Sequence, residues 1–179
     1  MTRKQIVTLH LALAAFFAPM LIITGLSGGL YLFGEKGSVV KEVIYKKVQG
    51  DFNFSSKDME KEIRQFILSN QIEHDFEYVK GSGTVYVTRP TSKQHLVFSG
   101  EDNQLTVIKQ TPDFNKSIVE LHKGHGPRAF KTLQKFMAFG LFLILISGLF
   151  LGLTSPLYKN KTIFISGLGS LLFLFLALF

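Results

Sequence analysis

The chain contains no cysteine. This absence excludes disulfides, c-type haem attachment through C-x-x-C-H and cysteinyl iron–sulfur clusters, without selecting a compartment. No Walker loop, no H-E-x-x-H zinc helix and no G-x-S-x-G elbow occurs, so the sequence offers no catalytic residue of a familiar soluble type. Whatever cofactor such a chain carries must be held non-covalently, by His, Met or carboxylate. A more telling lack is that of charge. The thirty residues between Lys4 and Glu35 include no Asp, Glu, Lys or Arg, and the same holds for 136–158 and 162–179. In their place the chain is 46% hydrophobic, with 18 Phe among its 179 residues.

A helix needs about 20 apolar residues to cross a hydrocarbon core about 30 Å thick. The first two runs meet that length easily, and the third stands at its lower limit. Residues 6–33, 136–158 and 162–179 are therefore expected as three transmembrane helices. The first run is nearly twice the roughly 7–15 residues of a signal-peptide core, and GEKGSVV after it offers no small-residue cleavage site, so it is expected to be a retained anchor. Pro19 near its centre cannot donate to the preceding turn, and a kink is expected there.

Acidic residues are confined to 35–120, where 13 of them face 12 Lys or Arg. The net charge of +7 therefore belongs to the membrane flanks: Arg3 and Lys4, then Lys123, Arg128, Lys131 and Lys135, then Lys159 and Lys161. A nearly neutral soluble segment has no basic face for nucleic acid, which is not an expected partner. Short cytoplasmic loops are enriched in Lys and Arg, whereas loops beyond about 60 residues translocate largely regardless of charge. The simplest layout puts the N-terminus and the 159–161 loop inside and the long 34–135 segment outside. The four basic residues of 121–135 oppose that layout.

The long segment reads as a small α+β unit at 34–120, inserted between the first and second membrane helices. SSKDMEKEIRQFILSNQ, 55–71, places Met59, Ile63, Phe66 and Ile67 on one helical stripe, with Ser55 and Asp58 as a capping box. HDFEYVK, GTVYVTRP, KQHLVFSG and NQLTVIKQTP follow as strand-like pieces, and GEDN between the last two marks a hairpin turn. One helix and three or four strands bury only a thin core, so docking on the membrane helices is expected.

LHLALAAFFAPMLIITGLSGGLYLF at the start, the helix-plus-strands unit, and LHKGHGPRAFKTLQKFMAFGLFLILISGLFLGL together resemble a PepSY-associated transmembrane protein over residues 6–155. The two SG-bearing apolar helices and the LH-x-G before the second carry the resemblance. It implies a bacterial inner-membrane protein with a periplasmic PepSY-like domain. It also implies an association with haem b and with electron transfer, including iron reduction, and His10 and His122 match the family's helix-associated histidines.

His10, ionisable and flanked by apolar residues, is a functional candidate because such residues are costly in a span; it could also simply reach the headgroups. His122 is the second candidate. His125, between two glycines and before Pro127, is a turn residue or a third ligand, and His74 and His95 read as ordinary sheet or surface residues. With Pro19 as mid-span, His10 lies about 13 Å inward, and His122 lies roughly 20 Å before the second charge-free run if helical. One protomer is not expected to bring both onto one iron, so a bis-His site would need a homodimer, another external His or a partner chain. Gly25 and Gly29, and Gly148 and Gly152, form GxxxG pairs that suit helix packing or a flat macrocycle. The basic segment 121–135 suits anionic lipid, haem propionates or an acidic partner.

Two functions remain open. One is a redox component passing electrons through b-type haem to a periplasmic acceptor, in a ferric or flavin reductase-like system. The other is a non-catalytic binding module that tethers or modulates a peptidase or another envelope protein.

Overall fold

The computed structural model describes residues 2–48, 52–101 and 104–179. In chain order the elements are α1 (Arg3–Leu32), β1 (Val39–Val48), α2 (Met59–Ser69), β2 (Tyr78–Ser82), β3 (Val85–Arg89), β4 (His95–Glu101), β5 (Gln104–Pro112), α3 (Phe114–His122), α4 (Arg128–Leu153) and α5 (Lys159–Leu178). They fall into two compact units, Met1–Leu21 with Lys135–Phe179, and Ile22–Gln134.

Helices α1, α4 and α5 are long and apolar enough to cross a membrane, with mean hydropathies of 2.3, 2.5 and 1.9. Leu11, Phe16, Phe136, Phe164 and Leu176 stand exposed on them, and α5 buries no residue at all. So large an apolar surface is an association site in water; hydrocarbon is the solvent that suits it. The helix ends differ from the charge-free runs. α4 starts eight residues before the second run and stops at Leu153, and α1 continues helical through Pro19.

In the first unit, small residues set the helix contacts. Phe17 is buried, and a Cβ on Gly140 of α4 would lie 2.7 Å from its Cδ2, inside the ring's contact distance. Thr162 of α5 fills the space beside Gly152 in the same way.

The second unit is built on a five-stranded antiparallel sheet of order β1-β5-β4-β3-β2. Leu96 and Phe98 of β4 and Leu105 and Val107 of β5 alternate onto one face, as period-two patterning requires. Met59, Ile63 and Ile67 of α2 close over them, and Phe52 stacks on Phe98 with centroids 5.6 Å apart. Burying each such Leu, Ile or Phe contributes about 1.5–3 kcal/mol. The α2 cap is Asp58, whose carboxylate accepts the Lys61 N–H at 3.1 Å. Ser55, expected in that role, instead donates its N–H to Asn53. The expected GEDN turn falls partly on Asp102 and Asn103, which lie outside the described residues.

Two elements were not anticipated. β1 forms an edge strand on β5, and α3 follows the sheet. The basic segment 121–135 is thus not one flank: α3 ends at His122, a turn runs over 123–127, and α4 begins at Arg128. Gly124 takes φ +74 in that turn, a conformation glycine adopts without strain. Arg128 and Lys131 do not stand free as a collar. Both lie over the Tyr78 ring, Lys131 also donates to the Tyr78 hydroxyl, and the Arg128 N–H donates to Glu77 at 2.7 Å.

Candidate functional site: two imidazoles held on helix glycines

His122 is the last residue of α3, placed there because Asp113 starts the helix. The Asp113 carboxylate accepts the Lys116 N–H at 2.7 Å and both the N–H and the hydroxyl of Ser38 at 2.7 Å, which draws its pKa down. At the other end of α3, the Gln134 side chain donates to Leu121 O at 2.7 Å. His122 then reaches α1. Its Nδ1 lies 2.9 Å from Thr24 O and 3.0 Å from Ser27 Oγ. A main-chain carbonyl can only accept, so Nδ1 carries the proton. A Cβ built on Gly28 would stand 3.1 Å from the His122 Cε1, so the ring lies against bare helix backbone.

The first unit repeats this arrangement with different residues. His10 Nδ1 lies 2.9 Å from Ser147 Oγ on α4. Ser147 has one hydroxyl proton and donates it to Leu143 O at 2.6 Å, with Ile144 O at 3.1 Å. It therefore accepts from His10, and Nδ1 is again the protonated nitrogen. Here the glycine is Gly148, whose built Cβ would lie 3.2 Å from the His10 Cε1. In both places a His rests on a Ser-Gly step of an apolar helix. In both, Nε2 is left with its lone pair and no hydrogen-bond partner among the described residues. That is the form in which an imidazole ligates a metal, oriented by a hydrogen bond from its other nitrogen.

His125 is held differently. Its Nδ1–H donates to Glu120 Oε2 at 2.7 Å, while Thr91 donates to the same oxygen at 2.8 Å. Lys116 and Lys123 approach Glu120 Oε1 at 3.3 and 3.2 Å. Burial pushes the Glu120 carboxyl upward, but the hydrogen bonds from His125, Thr91 and Lys123, with the Lys123 charge, outweigh it and hold its pKa at about 2. His122 and His125 do not share a site. His122 lines a cleft of about 290 Å³ with Ser27, Gly28 and Tyr31, whereas His125 lines a second cleft with Glu120 and His95. His10 belongs to the other unit. Among the described residues no group of three or more His, Asp or Glu is placed to hold a metal ion.

The residues that orient the imidazoles, Thr24, Ser27 and Ser147, were not singled out by sequence. The Ser-Gly steps are visible in the sequence, but GxxxG spacing in α1 points to Gly25 and Gly29 instead. Gly25 and Gly29 have nothing within 4 Å of a built Cβ, so among the described residues they pack on no partner. The glycine that matters in α1 is Gly28.

Three apolar helices joined to a small antiparallel sheet domain fit a membrane-associated protein with an α+β domain between its first two long helices. Comparison of the chain with protein-family models, with curated proteins and with solved structures finds no match in any of the three.

Proposed function

We propose that this protein is a small membrane redox component that holds b-type haem through His10 and His122, with its sheet domain on the periplasmic side of a bacterial inner membrane. The observation that carries the reading is the shared state of the two rings. Each has Nδ1–H donated to a helix oxygen and Nε2 free to ligate. An ordinary packing histidine has no need of the same tautomer twice, each time against a glycine. His10 and His122 would each offer the group one imidazole, from two separate places. A second ligand at either place would have to come from a second copy of the chain or from a partner protein. Haem would supply a one-electron couple; the chain supplies oriented imidazoles, apolar surroundings and a sheet domain as the face toward an acceptor. The resemblance to PepSY-associated membrane proteins points the same way.

The test is an absorption spectrum of the detergent-purified protein prepared with haem supplied. A sharp pair of α and β bands on reduction, lost in the His10→Ala/His122→Ala double variant, is expected. No Soret band in the parent protein removes the haem reading and leaves the membrane-anchored binding module, which tethers a peptidase or another envelope protein, as the function.

A further inference from the structure

On the sheet face away from α2, β3 carries Arg89, and β4 and β5 carry the paired His95 and Gln110. With α3 and the turn after it, these three line an open cleft of about 230 Å³. Arg89, Lys116 and Lys123 bring three permanent positive charges to its lining against the single carboxylate of Glu120. That carboxylate is already committed. Lys116, Lys123, Thr91 and His125 all hold it, and none of its partners is Arg89.

Arg89 is the unusual member. Its Nη1 donates to Thr91 Oγ1 at 2.8 Å, and Thr91 passes its own proton to Glu120. Its Nε–H is buried with no acceptor among the described residues. Nε and Nη2 form the guanidinium edge that makes parallel paired hydrogen bonds to a carboxylate, and among the described residues nothing accepts from that edge. A charged donor left this way is costly to the fold unless something else, a water or a bound anion, completes its hydrogen bonds. Beside the charges the same cleft is lined by Val39, Val87 and Val97, so its recognition surface is part cationic and part aliphatic.

We infer that this cleft binds a small carboxylate with a short branched apolar body. The carboxylate pairs with the Arg89 guanidinium where it lines the cleft and gains from the charge of Lys123, while the aliphatic part lies on Val87 and Val97. A phosphate would satisfy the charges but not the valines. This site is separate from the proposed haem ligands and stands or falls without them.

The experiment uses the full chain in neutral detergent, titrated at constant ionic strength with 3-methylbutanoate, its uncharged amide, inorganic phosphate or chloride, and followed by thermal unfolding. Saturable stabilisation by 3-methylbutanoate alone is expected, with at least a tenfold loss of apparent affinity in Arg89→Gln. Lys123→Gln, at a side chain 43% exposed, is expected to weaken binding severalfold and covers the case in which Arg89→Gln unfolds. Equal stabilisation by the carboxylate and its amide, or by chloride, overturns the proposal. So does full affinity in both variants. Stabilisation by phosphate matching that by the carboxylate rejects the aliphatic part and leaves a general oxyanion site.

Discussion

The Nδ1 proton of His122 is donated across more than 90 residues of sequence to the Thr24 carbonyl and the Ser27 hydroxyl of α1, beside a glycine that leaves room for the ring. His10 and Ser147 stand in the same relation, 137 residues apart. Each of the two LH dipeptides in the chain meets the SG dipeptide of the other apolar stretch.

Gly28→Ala tests how much that room matters. Alanine favours a helix by roughly 1 kcal/mol over glycine, which offsets the crowding of a Cβ 3.1 Å from the His122 Cε1. Thermal stability is expected to change little, while the ring must shift by a few tenths of an ångström. Nitrogen-15 NMR of labelled histidine should show His10 and His122 protonated at Nδ1 in the parent protein, with only the His122 signal moved in the variant. A proton on Nε2 of His122 in the parent would contradict the geometry outright.

Much of this was legible in the sequence, for physical reasons that differ between elements. Long charge-free runs have one common explanation, and α1, α4 and α5 follow from them. Strands β3 and β4 are legible from their β-branched and aromatic residues, Val85, Tyr86 and Val87 and then Leu96, Val97 and Phe98. β1 was missed because VVKEVIYKKV bunches its apolar residues as VV and VIY rather than alternating them. It is an edge strand with a register shift between Val43 and Tyr45, and it is mostly exposed. Lysines there protect the edge from further pairing, and they also mask its period. The two serines were missed because a Ser inside an apolar helix carries no local signal of what lies across from it. That partner is fixed only by tertiary packing.

Stability should depend on pH through His74 in one window and, at lower pH, through Glu120 together with the exposed Asp113. Burial, with the nearby His95 charge, draws the His74 pKa below its ordinary 6.5. The unfolded chain therefore takes up the proton first, and stability falls as pH drops below about 6.5. Glu120, held at about 2 against an ordinary 4.5, contributes fully above 4.5 and loses that contribution as pH falls toward 2. Glu120→Gln is expected to cost about 2 kcal/mol at pH 7 and to flatten the lower window alone. Denaturation of the variant with an unchanged acid limb would show that Glu120 does not carry it.

The orientation can be read with a single thiol, because the natural chain has none. Lys47 lies exposed on β1 and Lys161 exposed near the start of α5. With the sheet domain outside, Lys47→Cys should react with a membrane-impermeant maleimide in intact spheroplasts, and Lys161→Cys only after lysis. The reverse pattern would invert the orientation and move the proposed acceptor to the cytoplasm.

The serines distinguish an orienting role from simple packing. Among the described residues Ser147 Oγ is the one acceptor for the His10 Nδ1–H, whereas His122 has both Ser27 Oγ and Thr24 O. Ser147→Ala therefore leaves His10 with an unpaired proton and a choice of tautomer. Ser27→Ala leaves His122 with the carbonyl, which no side-chain change can remove. Loss of an outer partner typically weakens a ligating histidine by about 10–100-fold. Haem titration of the purified variants is expected to show that scale of loss at one of two sites in Ser147→Ala, and little change in Ser27→Ala. His10→Ala and His122→Ala, whose partners are not shared, should each remove about half the bound haem, since sites without common partners behave additively. Equal effects of the two serine changes would mean that the hydroxyls serve only to fill space. Loss of all haem in either single histidine variant would mean that both rings serve one iron.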